Sequence, residues 1–362
     1  MDAHEIARRR LYNQHLWGAR CDSPEHVVSW LGAIQSQEFA YAKWSVAQRT
    51  NGAIDAAMDQ ALADGTILRT HVVRPTWHFV LPADIRWLLE LTAPRVNALS
   101  AYYFRQLELD DAVFRKTNAL FSKVLRGGRQ LTRTELAAML QRSGIAASGQ
   151  RLGYILMRAE LDAIICSGAR RGKRQTYALF DERAPRAKRM RRDDALAELT
   201  RRYFVSRGPA TLKDYVVWSS LTAAEGRIGL EMVQSRLEHE VVGGRTYWFA
   251  PPPPRPKAVS PVVDLIQGYD EYVMSYKESK DVLRLPGGAN TILSGEPIYM
   301  HAILLDGHVA GHWKHVLGKS IVTIQTQLYR PLIRAELRAL EAAVERYGQF
   351  LGQPAGLSSR ID

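Results

Sequence analysis

Apolar residues at helical spacing, followed by short stretches of strand-like alternation, recur along the first 250 residues of the chain. The clearest example begins at LTRTELAAMLQRSG (131–144), where Thr132 stands three residues before Glu135 in a capping-box pattern. The next stretch, RLGYILMRAELDAII (151–165), has a second apolar stripe of helical period. AIICSGARRGKRQTYALF (163–180) then predicts two short strands joined by a basic, glycine-containing tip.

Helix, turn, helix and hairpin is the order of a winged helix-turn-helix unit, in which the second helix reads a DNA groove and the hairpin forms the wing. The same order recurs downstream, ending in the hairpin pattern EVVGGRTYWFA (240–250). It recurs more loosely upstream, as three helical patterns followed by an extended stretch over 66–82. We therefore predict an α+β fold with three tandem winged helix-turn-helix domains. They occupy residues 1–82, 127–192 and 193–250, and 83–126 forms a helical connector.

The pattern changes after residue 250. PPPPRP (251–256) predicts a stiff, extended connector. Residues 297–328 then alternate over three strand-length pieces, with Asp306-Gly307 as a hairpin-turn signal. The amphipathic stretch RAELRALEAAVERYGQFL (334–351) predicts a final helix that closes the chain. Residues 257–362 are therefore predicted to form a β-barrel-like antiparallel sheet covered by a C-terminal helix.

The positive charge of the chain is concentrated in its middle third. The net charge is +12, and residues 111–215 hold 23 basic against 10 acidic residues, whereas the flanking parts are close to balance. Ten basic residues and only two acidic ones lie within 170–192. This concentration predicts a polyanionic partner, of which nucleic acid is the commonest, and a solvated basic loop is the alternative.

Other features of the composition restrict the class of protein. Cys21 and Cys166 are the only cysteines, and no run of 18 apolar residues occurs in the sequence. This is typical of a cytoplasmic protein without a disulfide framework or membrane span. His308, His312 and His315 suggest a metal site. Strand alternation places His315 on the opposite face from the other two, and no Cys or carboxylate lies close by, so we expect neither metal nor cofactor.

Two neutral amides, Gln35 and Gln37, stand in the stretch AIQSQEFAYAKW (33–44), where an apolar helical pattern ends. An amide has no useful pKa, so any catalytic role must be electrostatic. Side chains at positions i and i+2 of an α-helix point about 200° apart. For the two amides to converge, the helix must end or distort near residue 35. The alternative interpretation is that the pair caps and solvates a helix end.

The chain resembles the bacterial AlkZ/YcaQ-like winged-helix DNA glycosylases over nearly its whole length. The segments that carry the likeness are LGAIQSQEFAYAKWSVAQRT (31–50), ILRTHVVRPTWHFV (67–80), LMRAELDAIICSG (156–168), GYDEYVMSYKES (268–279) and GHVAGHWK (307–314). The resemblance implies a C-shaped arrangement of winged helices around a β-barrel, and removal of alkylated purines, including crosslinked ones, from DNA. The family signature, Gln-aliphatic-Gln, is carried onto Gln35 and Gln37, and Ser36 departs from its aliphatic position.

The expected chemistry suits this motif. A purine alkylated at N7 is already cationic, so its glycosidic bond breaks without a general acid, and two amide oxygens suffice to stabilise the sugar cation and hold water. Glu38 is a rival candidate, because a carboxylate would act more strongly. We therefore expect a monofunctional glycosylase that acts as a monomer on double-stranded DNA. The alternative is a non-catalytic winged-helix regulator in which the Gln pair is structural.

Basic residues in two segments are the candidate DNA contacts. They are Arg69, Arg74 and His78 in the extended stretch, and Arg170, Arg171, Lys173 and Arg174 in the basic hairpin tip. The neighbouring carboxylates Asp270 and Glu271 are interpreted instead as part of a structural network, because adjacent side chains usually point apart.

Overall fold

The computed structural model describes residues 1–251, 260–284 and 301–359 of a mixed α+β protein. These ranges exclude residues 252–256 of the predicted connector and residues 297–300 of the alternating stretch. Within the described ranges, no helix combines the length and the apolar character needed to cross a membrane.

A first unit follows the N-terminal helix and contains a small antiparallel sheet of order β1-β3-β2. Its elements, with the preceding helix, are α1 (Ala3–Asn13), α2 (Pro24–Leu31), β1 (Ile34–Gln35), α3 (Phe39–Ala47), α4 (Asp55–Asp64), β2 (Leu68–His71) and β3 (Trp77–Val80). The sequence pattern did not predict α3. The first predicted helix, α1, instead packs its apolar face against residues of the C-terminal part of the chain, including Val282 and Tyr272.

A long helix leads into a second unit, whose sheet has the order β4-β6-β5. The elements are α5 (Ile85–Gln106), α6 (Asp111–Val124), β4 (Leu131–Thr132), α7 (Arg133–Arg142), α8 (Gly149–Leu161), β5 (Ile165–Ser167), β6 (Thr176–Leu179) and the short α9 (Phe180–Arg183). The predicted capping box is present, because the Thr132 hydroxyl accepts from the Glu135 N–H and the Glu135 carboxylate accepts from the Thr132 N–H. The basic hairpin between β5 and β6 also forms as predicted.

The third unit repeats this order of helix, two further helices and a hairpin. It comprises α10 (Arg192–Arg207), α11 (Leu212–Ser219), α12 (Ala223–Val233), β7 (Glu238–Val242) and β8 (Arg245–Phe249). A single bridge between Ala210 and Trp248 takes the place of the first strand. One continuous apolar core extends from the first unit through α5 and α8 to α12, so the units are packed together rather than strung apart.

The C-terminal part is a curled five-stranded sheet of order β13-β12-β11-β10-β9. Its elements are β9 (Val263–Ile266), α13 (Glu271–Met274), β10 (His301–Leu305), β11 (His308–Leu317), β12 (Val322–Leu328), α14 (Arg334–Leu351) and β13 (Ala355–Ser359). The predicted turn at Asp306-Gly307 joins β10 to β11, and both of its residues have positive φ.

Two sequence predictions about this sheet were wrong. The helix α14 does not close the chain, because β13 follows it, and the sheet is not wholly antiparallel, because β13 pairs parallel to β12. The physical reason is that α14 is a crossover helix that returns the chain to the same edge of the sheet, and such connections join parallel strands. On its way α14 buries Tyr347 and Phe350 against Trp44 of the first unit.

Candidate functional site

The Gln35-Ser36-Gln37 motif lies in a short non-helical passage between two helices. The helix α2 ends at Leu31, where Gly32 adopts a φ of 72°, and Gln35 then pairs with His78 of β3. The helix therefore ends as the motif requires, although at Leu31 rather than near residue 35. In extended backbone, side chains two residues apart face the same side, so the spacing that a straight helix forbids is permitted here.

The two amides of the motif differ in their surroundings. Gln35 is only 2% exposed, and its Oε1 accepts a hydrogen bond of 2.9 Å from Arg74 Nη2. Its backbone N–H donates to Glu271 Oε1 at 3.0 Å. Gln37, in contrast, is exposed to solvent. Among the described residues, no hydrogen bond joins the two side-chain amides. Arg74 therefore fixes the orientation of the Gln35 carbonyl, whereas the Gln37 side chain is open to solvent.

Glu271 is the buried anion beneath the motif. Besides the Gln35 N–H, its carboxylate accepts hydrogen bonds of 2.8 Å each from Arg207 Nη2 and from the Trp218 indole N–H. Burial opposes ionisation, but the positive charges of Arg207 and Arg74 outweigh it and bring the pKa of Glu271 to about 2. The neighbouring Asp270 pairs with Arg49 instead, so the two carboxylates point apart as predicted.

Arg207 ties the end of α2 to the third unit. Its guanidinium donates to the backbone carbonyls of Leu31 at 2.8 Å and Ala33 at 3.0 Å, on either side of Gly32. A helix end leaves carbonyl groups without partners, and here a fully buried cation satisfies them. The backbone that presents the motif is therefore held from both the first and the third unit.

His78 lies on β3 beside Gln35 and is completely buried. Its Nδ1 is 2.9 Å from the Thr76 carbonyl and its Nε2 is 3.2 Å from Arg74 Nη2. Burial, aided by the charge of Arg74, lowers the pKa of His78 to about 3, so the ring is neutral. A neutral ring that donates from Nδ1 to the carbonyl accepts from Arg74 at Nε2, which holds the guanidinium against Gln35.

Arg69 supports the motif from the other side. Its guanidinium donates to the Ser36 carbonyl at 2.9 Å and lies over the Trp77 ring at 4.3 Å. Arg69 and His78 are buried behind the motif, and the Arg74 side chain is 12% exposed. The structure thus brings these three sequence-predicted DNA contacts to Gln35 and Ser36, and direct contact between them and DNA stays a prediction.

The basic hairpin tip divides into one half-buried and three exposed residues. Arg170 lies over the Phe39 ring at 4.7 Å and 3.2 Å from Asp59, so it ties the hairpin to the first unit. The remaining three side chains, at the tip between β5 and β6, are exposed: Arg171, Lys173 and Arg174. Arg171 forms an ion pair with Glu135.

A second exposed hairpin was not singled out by the sequence. The end of β11 and the turn before β12 carry the apolar side chains Val316, Leu317 and Ile321 in solvent, together with exposed Lys314 and Lys319. The sequence does indicate this hairpin, because apolar residues occupy positions of the alternating stretch where polar, solvent-facing residues are expected. Exposed apolar residues on a cationic hairpin are typical of a surface that meets a partner.

Two of the three histidines considered for a metal form hydrogen bonds with tyrosines, and the third, His308, packs against the His4 ring. His312 Nε2 is 2.5 Å from the Tyr329 hydroxyl, and His315 Nδ1 is 2.6 Å from the Tyr347 hydroxyl. Over the described ranges, no group of three His, Cys, Asp or Glu side chains is arranged to hold a metal ion.

Three comparisons with known proteins agree. The family model described as DNA glycosylase AlkZ-like matches residues 28–350. An interstrand DNA cross-link repair glycosylase of Streptomyces sahachiroi is 24% identical over 333 residues, covering 87% of this chain and 88% of that protein. The structure of Streptomyces sahachiroi DNA glycosylase AlkZ matches with a TM-score of 0.79 at 19% identity, over 99% of this chain and 100% of the other, which shows a common fold. Since the family model spans most of the sequence, the chain belongs to the AlkZ-like DNA glycosylase family.

Proposed function

We propose that this protein is a monofunctional DNA glycosylase that hydrolyses the bond between deoxyribose and an N7-alkylated purine in duplex DNA, including purines held in a crosslink. Membership of the AlkZ-like family supports glycosylase chemistry. The relative named as an interstrand cross-link repair glycosylase supports the lesion class. We further propose a monomer that works in the cytoplasm without metal or cofactor.

The observation that carries this proposal is the environment of the two amides. Gln37 is exposed beside a Gln35 whose carbonyl is oriented by Arg74. The positive charge of Arg74 alone would oppose a developing sugar cation, but Glu271 Oε1 lies 3.7 Å from its guanidinium and offsets that charge. Amide dipoles then act on the sugar from a preorganised, nearly neutral setting.

The substrate explains why the reaction needs no general acid. Alkylation at N7 gives the purine a positive charge, so the base leaves as a neutral molecule when the C1′–N9 bond breaks. The enzyme must stabilise the oxocarbenium-like sugar and place a water molecule on it, and oriented dipoles accomplish both. In this proposal Gln37 contacts the sugar and water directly, and the buried Gln35 contributes the dipole of its side-chain carbonyl.

We infer that the three units are winged-helix domains. Each has a helix, a first strand or bridge, two helices and a hairpin, and each first strand or bridge pairs with the last strand of its hairpin. The proposed domains are 1–82, 127–192 and 193–250, with 83–126 as connector and 257–362 as the barrel-like domain, in a C shape around the duplex. Since α6 packs against α7 and α8, the second domain takes its first helix from the connector.

DNA contact is proposed for the exposed cations and apolar residues of the two hairpins. Arg171, Lys173 and Arg174 are placed to meet phosphates, whereas Val316 and Leu317 suit contact with bases or sugars.

The test is release of 7-methylguanine from a duplex by wild type, Gln35→Ala and Gln37→Ala. Loss of one preorganised dipole should lower the single-turnover rate by about 10²-fold, while duplex affinity stays within about twofold of wild type. Gln349→Ala, an exposed glutamine on α14, is the matched control and should keep full activity. Thermal unfolding of each variant separates loss of chemistry from loss of fold.

Two outcomes would contradict the proposal in different ways. Unchanged release by both Gln variants would remove the amides from the mechanism. A wild type that binds duplex DNA but releases no base from any alkylated or crosslinked substrate would indicate the regulator instead.

A further inference from the structure

Glu38 follows Gln37 directly, and its side chain does not stabilise the adjacent helix end. It occupies the position before the first turn of α3, but its side chain makes no capping hydrogen bond there. Its side chain is 36% exposed, yet its Oε2 is shielded from solvent and has no hydrogen-bond partner among the described residues. This carboxylate oxygen is therefore available to a water molecule or substrate that enters beside the motif.

His301 on β10 faces this carboxylate with an N–H group. Its Nδ1 accepts the backbone N–H of Gly268 at 3.1 Å, and burial, with smaller effects from two nearby histidines, lowers its pKa to about 4. A neutral ring that accepts at Nδ1 carries its proton on Nε2. That Nε2 lies 3.7 Å from Glu38 Oε2, and Tyr41 packs on the ring with centroids 3.8 Å apart. The imidazole is therefore fixed in position and in tautomer.

The surroundings of Glu38 contrast with those of Glu271. Glu271 is held ionised by two guanidiniums and is fully bonded. Glu38 has no Lys or Arg within ion-pair distance among the described residues, and the titratable groups that face it are His301 and the Tyr41 hydroxyl. Burial raises the pKa of Glu38, which makes its carboxylate the stronger base of the two.

We propose that Glu38 is the catalytic general base that accepts a proton from the attacking water, and that His301 is a positioning residue that orients its carboxylate. This inference rests on the glycosylase function proposed above. The water oxygen bonds to C1′ as the C1′–N9 bond breaks, and that electron pair neutralises the alkylated purine. The water proton passes to the Glu38 carboxylate and is later lost to solvent. The amides stabilise the sugar cation while Glu38 activates the nucleophile.

The test uses Glu38→Gln, which keeps the shape of the side chain and removes its basicity. Single-turnover release of 7-methylguanine is measured from pH 4.5 to 8.5, with enzyme-free depurination subtracted at each pH. The substitution should lower the rate about 10²- to 10⁴-fold and abolish the acid limb of the wild-type profile. That limb should lie above 4.5, the ordinary glutamate value. Glu341→Gln, exposed on α14, is the matched control and should retain the wild-type profile.

His301→Phe tests the positioning role. His301→Phe removes the N–H dipole that faces the ionised carboxylate from 3.7 Å, so the acid limb should move to higher pH. A merely structural role would lower the rate equally at every pH. If the wild type releases base and Glu38→Gln shows the same rate and pH profile, the general-base role is wrong, but the proposed glycosylase function is unaffected. A wild type without activity would overturn both. Loss in Glu38→Gln with unchanged Gln variants would support the general base and remove the amides.

Discussion

Glu271 is the residue on which most of the motif's support converges. It joins the Gln35 backbone from the first unit to Arg207 and Trp218 of the third unit, and no part of it is exposed. A buried carboxylate with this many donors is favourable only while every partner is present. The site therefore depends on a residue that lies 236 positions from Gln35 in the chain.

The substitution Glu271→Gln should destabilise the protein strongly. It leaves the Arg207 charge buried without a counter-ion, which costs about 3–5 kcal/mol of unfolding free energy in comparable pairs. Urea denaturation at pH 7 measures this loss, and the exposed Glu345→Gln should stay within about 0.5 kcal/mol of wild type. A loss of under about 1 kcal/mol would contradict the role assigned to the pair.

The pH dependence of stability gives the same prediction an independent check. Because the folded pKa of about 2 lies below the ordinary 4.5, the contribution of Glu271 is fully present above about pH 4.5. It is lost as the pH falls from there towards 2, since the unfolded chain then binds the proton first. Glu271→Gln should show a correspondingly shallower loss of stability over this window.

At the scale of elements, the site depends on where α2 stops. The apolar helical pattern of the sequence extends to Ile34, and convergence of the two amides then requires the helix to end near residue 35. In the structure Ile34 belongs to β1 and pairs with Phe79, because Gly32 has already turned the backbone into a left-handed conformation. Gly32 therefore determines whether Gln35 lies on a helix or on a strand.

Gly32→Ala should reduce both stability and base release. A side chain at a φ of 72° costs about 1 kcal/mol or more, and the strain bears on the backbone that leads to Gln35. Gly52→Ala is the matched control, with a φ of 64° and open space around the added methyl. Both variants should lose similar unfolding free energy, but only Gly32→Ala should slow base release. Equal rates of base release by the two variants would mean that the turn at Gly32 does not position the site.

The sequence predicted local elements more completely than it predicted the contacts of the site. The capping box at Thr132 and the turn at Asp306-Gly307 depend on residues a few positions apart, and both were predicted correctly. The helix α3 was missed because its residues, FAYAKWSVA, are mostly buried and show little amphipathic period. The placement of Arg69 and Glu271 depends on contacts between distant segments, which a single sequence does not reveal.

At the scale of the whole molecule, the charge count overstates the charge that a partner meets. Arg49, Arg69 and Arg207 are buried in hydrogen-bonded networks and contribute to cohesion. In the middle third, by contrast, exposed basic residues follow one another along the hairpin tip and the approach to α10. They are Arg171, Lys173, Arg174, Arg186, Lys188, Arg189, Arg191 and Arg192. This concentration of exposed charge is suited to contact with a phosphate backbone.

The hairpin tip should therefore set part of the salt dependence of DNA binding. Each phosphate contact contributes about 0.9 to the slope of log affinity against log salt concentration. The double substitution Lys173→Gln with Arg174→Gln should lower the magnitude of that slope by about 2, measured by fluorescence anisotropy on an undamaged duplex. Arg334→Gln with Arg338→Gln removes the same charge from the exposed face of α14 and should change the slope by less than about 0.5. Because both pairs alter the net charge equally, equal slopes would mean that overall charge, rather than the hairpin, attracts the DNA.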